Sequence, residues 1–179
     1  MLGVDRIFLY QLHAPDPHVP FEKSVEALAE LQREGKCEWV GLSNVAVDHI
    51  ERASRIVDVV SVQNRLSPYY RESIEEGVVA ECERRGITFL AYRPLGGGRL
   101  THKLHEFPML RNIAALRGLS PHAVALAWVR AQGTTIIPIP GARKAGHVVD
   151  SARAADVVLS AEEIAAIDQA RWVTAVPVL

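Results

Sequence analysis

Apolar runs and amphipathic stretches alternate along almost the whole chain. Asp5–His13 (DRIFLYQLH) is a strand-like run that ends at the breaker Pro15-Asp16-Pro17. Phe21–Lys36 has helical spacing, with Val25, Leu28, Ala29 and Leu31 on one face and Gly35 as its stop. Glu38–Asn44 is predicted as a second strand and Val47–Ile56 as a short helix. Val57–Asn64, rich in β-branched residues, is a third strand. A helix is expected over Arg71–Arg85, closed by Gly86, and a fourth strand over Ile87–Tyr92, followed by Pro94-Leu95 and three glycines. After a longer helical insertion, Ser120-Pro121 predicts the N-cap and first-turn proline of a helix over His122–Gln132. Thr134–Pro138 is a fifth strand. Two closing helices are expected over His147–Ala154 and Ala161–Arg171, the second with Ser160 and Glu163 spaced as a capping box.

Strands that are apolar throughout and separated by helices predict a parallel sheet covered by crossover helices. No low-complexity stretch or linker divides the chain, so residues 1–171 are expected as one α/β domain with a tail over 172–179. An open doubly wound sheet and part of a βα barrel both fit the alternation. His13, Ser43-Asn44, Gln63-Asn64, Tyr92 and Gly141 each follow a strand, where ligands collect in either architecture. A dinucleotide-binding doubly wound fold would carry G-x-G-x-x-G after its first strand. HAPDP stands there instead, which favours the barrel.

Composition narrows the function classes. The 179 residues are 49% hydrophobic and 23% charged, an ordinary globular balance. Twenty Lys plus Arg against 21 Asp plus Glu give a net charge of −1, with no basic excess for a nucleic acid backbone. The N-terminal run, interrupted by Asp5, has the form of neither a signal peptide nor a membrane span. Cys37 and Cys82 cannot make a disulfide framework, and a cytoplasmic location is expected. His102 and His105 have no partner at a metal-binding spacing, so no metal site is expected. Gly96–Arg99 lacks the G-K-[ST] of a phosphate loop, and Ser43 lies in GLSN rather than G-x-S-x-G.

The segments GVDRIFLYQLH, ALAELQREGKCEWVGLSN, VQNRLSPY, AYRPLGGG and IPIPGARK, in this order, resemble the aldo-keto reductases. The likeness runs from about Leu2 to Arg171 and begins at that family's fourth strand. It implies a partial (β/α) barrel of five parallel strands and NADP(H)-dependent reduction of an aldehyde or ketone. His13 matches the histidine that hydrogen-bonds the substrate carbonyl oxygen. Ser43, Asn44 and Gln63 match the nicotinamide carboxamide partners, and Tyr92 the aromatic that stacks on the ring. Leu95 and Gly97 match the pyrophosphate loop. Gly141 and Arg143 match the adenosine loop, with Arg143 toward the 2′-phosphate, and His147, Asp150 and Ser151 lie on the helix that follows.

This chain departs from the family pattern in several places. Arg93 stands where many members carry Ser, and Phe8 where a strand Asp is usual. Asp150 and Ser151 are shorter than the usual Glu and Asn. The family's catalytic Tyr, Asp and Lys belong to its first three βα units, which have no counterpart here. Two readings follow. One is a reductase impaired as this chain alone; the other is a non-catalytic half-barrel that binds nucleotide or a partner protein. Five strands cannot close a barrel of eight, so self-association or pairing with a separate N-terminal half is expected.

Overall fold

A computed structural model describes residues 3–173. Five strands, β1 (Ile7–Leu12), β2 (Cys37–Ser43), β3 (Val59–Arg65), β4 (Thr88–Tyr92) and β5 (Ile136–Pro138), form one sheet in chain order. β1 runs parallel to β2 with Ile7 opposite Cys37 and Gln11 opposite Gly41. β2 runs parallel to β3 with Ser43 opposite Gln63, after a register shift at Val40/Gly41. Strands in chain order with helical crossovers are the partial βα-barrel pattern expected from the sequence. The part of the expected tail beyond residue 173 lies outside the described residues.

Contacts divide the chain into two compact units: Met1–Asn64 with Ser73–Leu90, and Arg65–Glu72 with Ala91–Leu179. In the first unit, α1 (Phe21–Arg33) buries Phe21, Val25 and Leu28, spaced to lie on one helix face. Val40 and Leu42 of β2, Ile50 and Ala53 of α2 (Val47–Ala53) and Val62 of β3 are fully buried in the same unit. β1 differs: none of its six residues is buried, and Phe8 and Tyr10 are 69% and 42% exposed. The single helix expected over Arg71–Arg85 is two helices, α3 (Glu72–Glu75) and α4 (Val78–Arg85). Gly77 lies between them at φ +79°, a left-handed conformation that ends one helical ladder and starts another. Cys82 of α4 is fully buried, and burial pushes its thiol up to about 12, which keeps it protonated.

The second unit is built on α7 (Pro121–Arg130), in which Ala123–Val129 are all buried. Its start is as expected: Ser120 Oγ accepts from Ala123 N–H at 3.0 Å, and Pro121 occupies the first turn. Between β4 and α7 lie α5 (Gly98–Lys103), a 3₁₀ turn (Leu104–Glu106) and α6 (Pro108–Arg117); α8 (Ala145–Arg153) and α9 (Ala161–Asp168) follow β5. The Ser160/Glu163 capping box is present. α9 ends at Asp168 rather than Arg171 because side chains take its last carbonyls. Arg71 donates to Ile167 O at 3.1 Å and Asp168 O at 3.3 Å, and Trp172 Nε1 donates to Ile167 O at 2.8 Å. Arg71 also bonds Asp168 Oδ1 and Pro68 O, and its guanidinium lies 4.8 Å from the ring centre of the fully buried Trp128.

Replacing Arg71 with Met would strand the carbonyls at the end of α9 and leave Asp168 without its cation. A charged hydrogen-bond donor with several acceptors is worth about 2–3 kcal/mol, so urea unfolding of Arg71→Met should show a loss of that size. Acid stability has a second, local source. Arg84 and Arg85 beside Glu81 hold its carboxyl down at about 2, below the ordinary 4.5. A depressed folded value stabilises above pH 4.5 and is lost as pH falls toward 2. Glu81→Gln should therefore flatten the acid side of a stability–pH curve within that window.

Candidate active site

Polar residues converge at the carboxyl ends of β1, β2 and β3 in the first unit. The frame below them is a ladder of side chains on one sheet face. Gln11 Nε2 donates to Ser61 Oγ at 3.0 Å, and Gln63 Nε2 donates to Gln11 Oε1 at 2.9 Å. β2 lies between these partners, and Gly41 is the residue crossed. A Cβ there would fall well inside van der Waals contact distance of Ser61 Oγ and 2.9 Å from Gln11 Cγ. Glycine is thus required by the close approach of two side chains over the strand.

Two residues further toward the carboxyl end of β2, Ser43 Oγ donates to Gln63 O at 2.7 Å and Asn44 N–H donates to the same oxygen at 3.1 Å. Asn44 Nδ2 donates to His13 O at 2.9 Å and lies 3.0 Å from Ser43 Oγ. The structure therefore brings His13, Ser43, Asn44 and Gln63 together in one cluster. Their exposure separates their roles. His13 and Asn44 are exposed, Gln63 is half-buried, and Ser43 is buried with its proton spent on Gln63. Ser43 can offer a ligand only its lone pairs. The His13 imidazole makes no hydrogen bond among the described residues and stands exposed at the end of β1.

The remaining predicted residues lie in the second unit. Tyr92 ends β4, half-buried, with its carbonyl accepting from Leu66 N–H at 3.3 Å. Arg93 follows at φ +49° and closes a turn through Gly96 N–H to Arg93 O at 2.8 Å. Its side-chain stem lies over Gly97, where a Cβ would meet Arg93 Cγ and Cδ at 3.2 Å. Leu95 O accepts from Thr101 Oγ1 at 3.1 Å. Ile139 N–H donates to Ala91 O at 3.0 Å, which sets the loop carrying Gly141 and Arg143 beside the end of β4.

Gly141, Arg143 and His147 are exposed, and Arg143 makes no ion pair among the described residues. His147, Asp150 and Ser151 share one face of α8 by their spacing. Asp150 already has a partner: its Oδ2 accepts from Ser120 Oγ at 2.6 Å, tying α8 to the N-cap of α7. Among the described residues no group of His, Cys, Asp and Glu could hold a metal ion, and no helix is long and apolar enough to cross a membrane.

Two residues have structural roles that sequence reasoning did not assign. Gln11 carried a signal, since it is a lone amide inside an apolar strand run. Asn64 carried less: its carboxamide bonds both backbone groups of Val45, a pairing visible only once β2 and β3 are side by side.

The aldo/keto reductase family profile matches residues 1–171. The chain belongs to the aldo/keto reductase family. Among curated relatives it is 36% identical over 168 residues to the uncharacterised oxidoreductase C215.11c of Schizosaccharomyces pombe, covering 94% of this chain and 53% of that protein. It is 31% identical to the aldo-keto reductase yakc [NADP(+)] of the same yeast, covering 94% and 58%. Among solved structures, an aldo-keto reductase from Klebsiella pneumoniae in complex with NADPH superposes with a TM-score of 0.82 at 32% identity, covering 92% of this chain and 58% of that one. This aldo/keto reductase chain thus spans a little over half the length of the relatives it matches.

The side-chain ladder yields a paired test. Gly41→Ala should destabilise the protein by about 1–3 kcal/mol through overpacking. Adding Ser61→Ala, which removes the struck oxygen, should recover part of that loss in the same thermal or chemical melt.

Proposed function

We propose that the chain carries the NADP(H)-binding and carbonyl-binding part of an aldehyde or ketone reductase. The observation behind this reading is the cluster at the ends of β1–β3, where the Asn44 amide is anchored to His13 O and leaves the His13 imidazole exposed. The side chains present suit the cofactor. Gln63 keeps one amide hydrogen beyond its bond to Gln11 Oε1 and, with the Asn44 and Gln63 amide oxygens, offers the mixed donor and acceptors that a carboxamide needs. Tyr92 offers an aromatic face, and Arg143 an exposed guanidinium suited to a phosphate. When bound, the nicotinamide supplies the hydride. His13 is the donor toward the carbonyl oxygen and stabilises the negative charge that develops there. Leu95 and Gly97 border the diphosphate; His147 and Ser151 flank the adenosine end. Asp150 contributes there only if its bond to Ser120 opens.

Activity of this chain alone is expected to be low. A positioned proton donor contributes about 10²–10⁴-fold, and the tyrosine that serves the family has no counterpart in the residues here. The exposed outer face of β1, with Phe8 and Tyr10, supports a second element of the reading: β1 pairs with another chain, either a separate N-terminal half or a second copy. Its edge N–H and C=O groups provide the hydrogen bonds for such pairing.

NADPH fluorescence titration tests the binding element. NADPH should bind more tightly than NADH, and Arg143→Ala should bring the two close to equal. Equal affinities in the unmodified chain, or no binding below millimolar, would remove the role given to Arg143. Sedimentation tests the pairing element: at micromolar concentration the chain should run at least as a dimer, and a compact monomer with protected β1 amides would refute it. His13→Ala should leave NADPH affinity nearly unchanged while abolishing whatever aldehyde reduction the chain shows.

A further inference from the structure

Asn64 follows Gln63 in β3, and its side chain is buried. Both ends of its carboxamide are spent on one residue. Val45 N–H donates to Asn64 Oδ1 at 3.1 Å, and Asn64 Nδ2 donates to Val45 O at 2.7 Å. This is the two-bond exchange of a ladder pair, made by a side chain just past the point where β2 ends at Ser43.

The residue before Val45 is Asn44, at φ +57°. Only Asn44 and Arg93 among the described non-glycine residues have positive φ. Asparagine tolerates the left-handed region better than most residues, but the conformation persists only where its surroundings fix it. Here they do so on both sides. Asn44 N–H is held by Gln63 O, the N–H and C=O of the next residue, Val45, are both held by Asn64, and Ala46 N–H donates to His49 Nδ1 at 3.2 Å. The backbone so fixed directs the Asn44 amide to His13 O.

We infer that Asn64 is a positioning residue: by gripping both backbone groups of Val45 it holds Asn44 left-handed and so sets the nicotinamide-side cluster of His13 and Asn44. This rests on the cofactor reading above. It goes further by assigning the geometry of the nicotinamide end to a buried side chain that touches no ligand. The residues of this relay belong to the nicotinamide end of that reading, whereas Arg143 and α8 are assigned to its adenosine end. Loss of the grip should therefore weaken one end of the dinucleotide selectively.

The test compares NADPH with 2′,5′-ADP, which lacks the nicotinamide, on the full chain and on Asn64→Leu and Asn64→Asp. Asn64→Asp keeps the acceptor for Val45 N–H but sets a carboxylate oxygen against Val45 O, so it carries the test if the Leu variant does not fold. The expected result is about a tenfold loss of NADPH affinity, unchanged 2′,5′-ADP affinity, and faster hydrogen exchange at the Val45 and Ala46 amides. An equal loss for both ligands would make Asn64 an ordinary core residue and overturn the inference. So would unchanged NADPH affinity alongside faster exchange at Val45. A parent chain that binds 2′,5′-ADP but holds NADPH no more tightly, or that binds neither, overturns the cofactor reading and this inference with it.

Discussion

Three strands of the first unit are tied together by amide and hydroxyl groups that meet across a glycine. Gln11, Ser61 and Gln63 form a hydrogen-bonded row on one sheet face, and the row exists because Gly41 places no atom in its way. Polar groups inside a sheet are costly unless each finds a partner, and here the partners come from neighbouring strands. The row also fixes where Gln63 presents its backbone carbonyl. That oxygen receives both Ser43 and Asn44, so the strand-end cluster is seated on the same row. A loop of otherwise free conformation becomes a continuation of the sheet's hydrogen bonding, made largely by side chains.

The second unit solves a different problem by similar means. Its central helix, α7, is buried on every side, so its neighbours need polar anchors of their own. Arg71 supplies one by capping α9 and covering Trp128, whose indole N–H reaches Asp168 at 3.0 Å. Ser120 supplies another, since one hydroxyl both caps α7 and donates to Asp150 on α8. Asp150, a carboxylate that the family resemblance places at the adenosine end, is thereby engaged in holding two helices together.

Much of this was legible in the chain. The five strands, their helical crossovers, and the caps at Ser120 and Ser160 follow from periodicity and capping residues, because those signals are local. His13, Ser43, Asn44 and Gln63 were legible as strand-end polar residues, and the structure gathers them in one cluster. What could not be read was long-range. Gly77 resembled a residue a helix could pass through, and only its left-handed conformation shows the break. The early stop of α9 depends on Arg71, nearly a hundred residues earlier in the chain. Asn64 was legible as a strand-end polar residue but its grip on Val45 was not, because that residue is nineteen positions away. Exposure was equally hidden, since the apolar run of β1 gives no sign that Phe8 would face outward uncovered.

The glycine in β2 also determines which alignments of the strands are possible. A slip of one residue between β1 and β2 would turn the alternate set of side chains toward Gln11. Val40 or Leu42 would then stand where Gly41 now leaves a gap, blocking the amide and stranding Ser61 and Gln63 without partners. Wrong registers are thus penalised twice, by steric overlap and by unsatisfied polar groups, while the native one carries neither cost. In a strand pair whose apolar residues would otherwise accept several alignments, one missing methyl group acts as the index mark that selects a single frame.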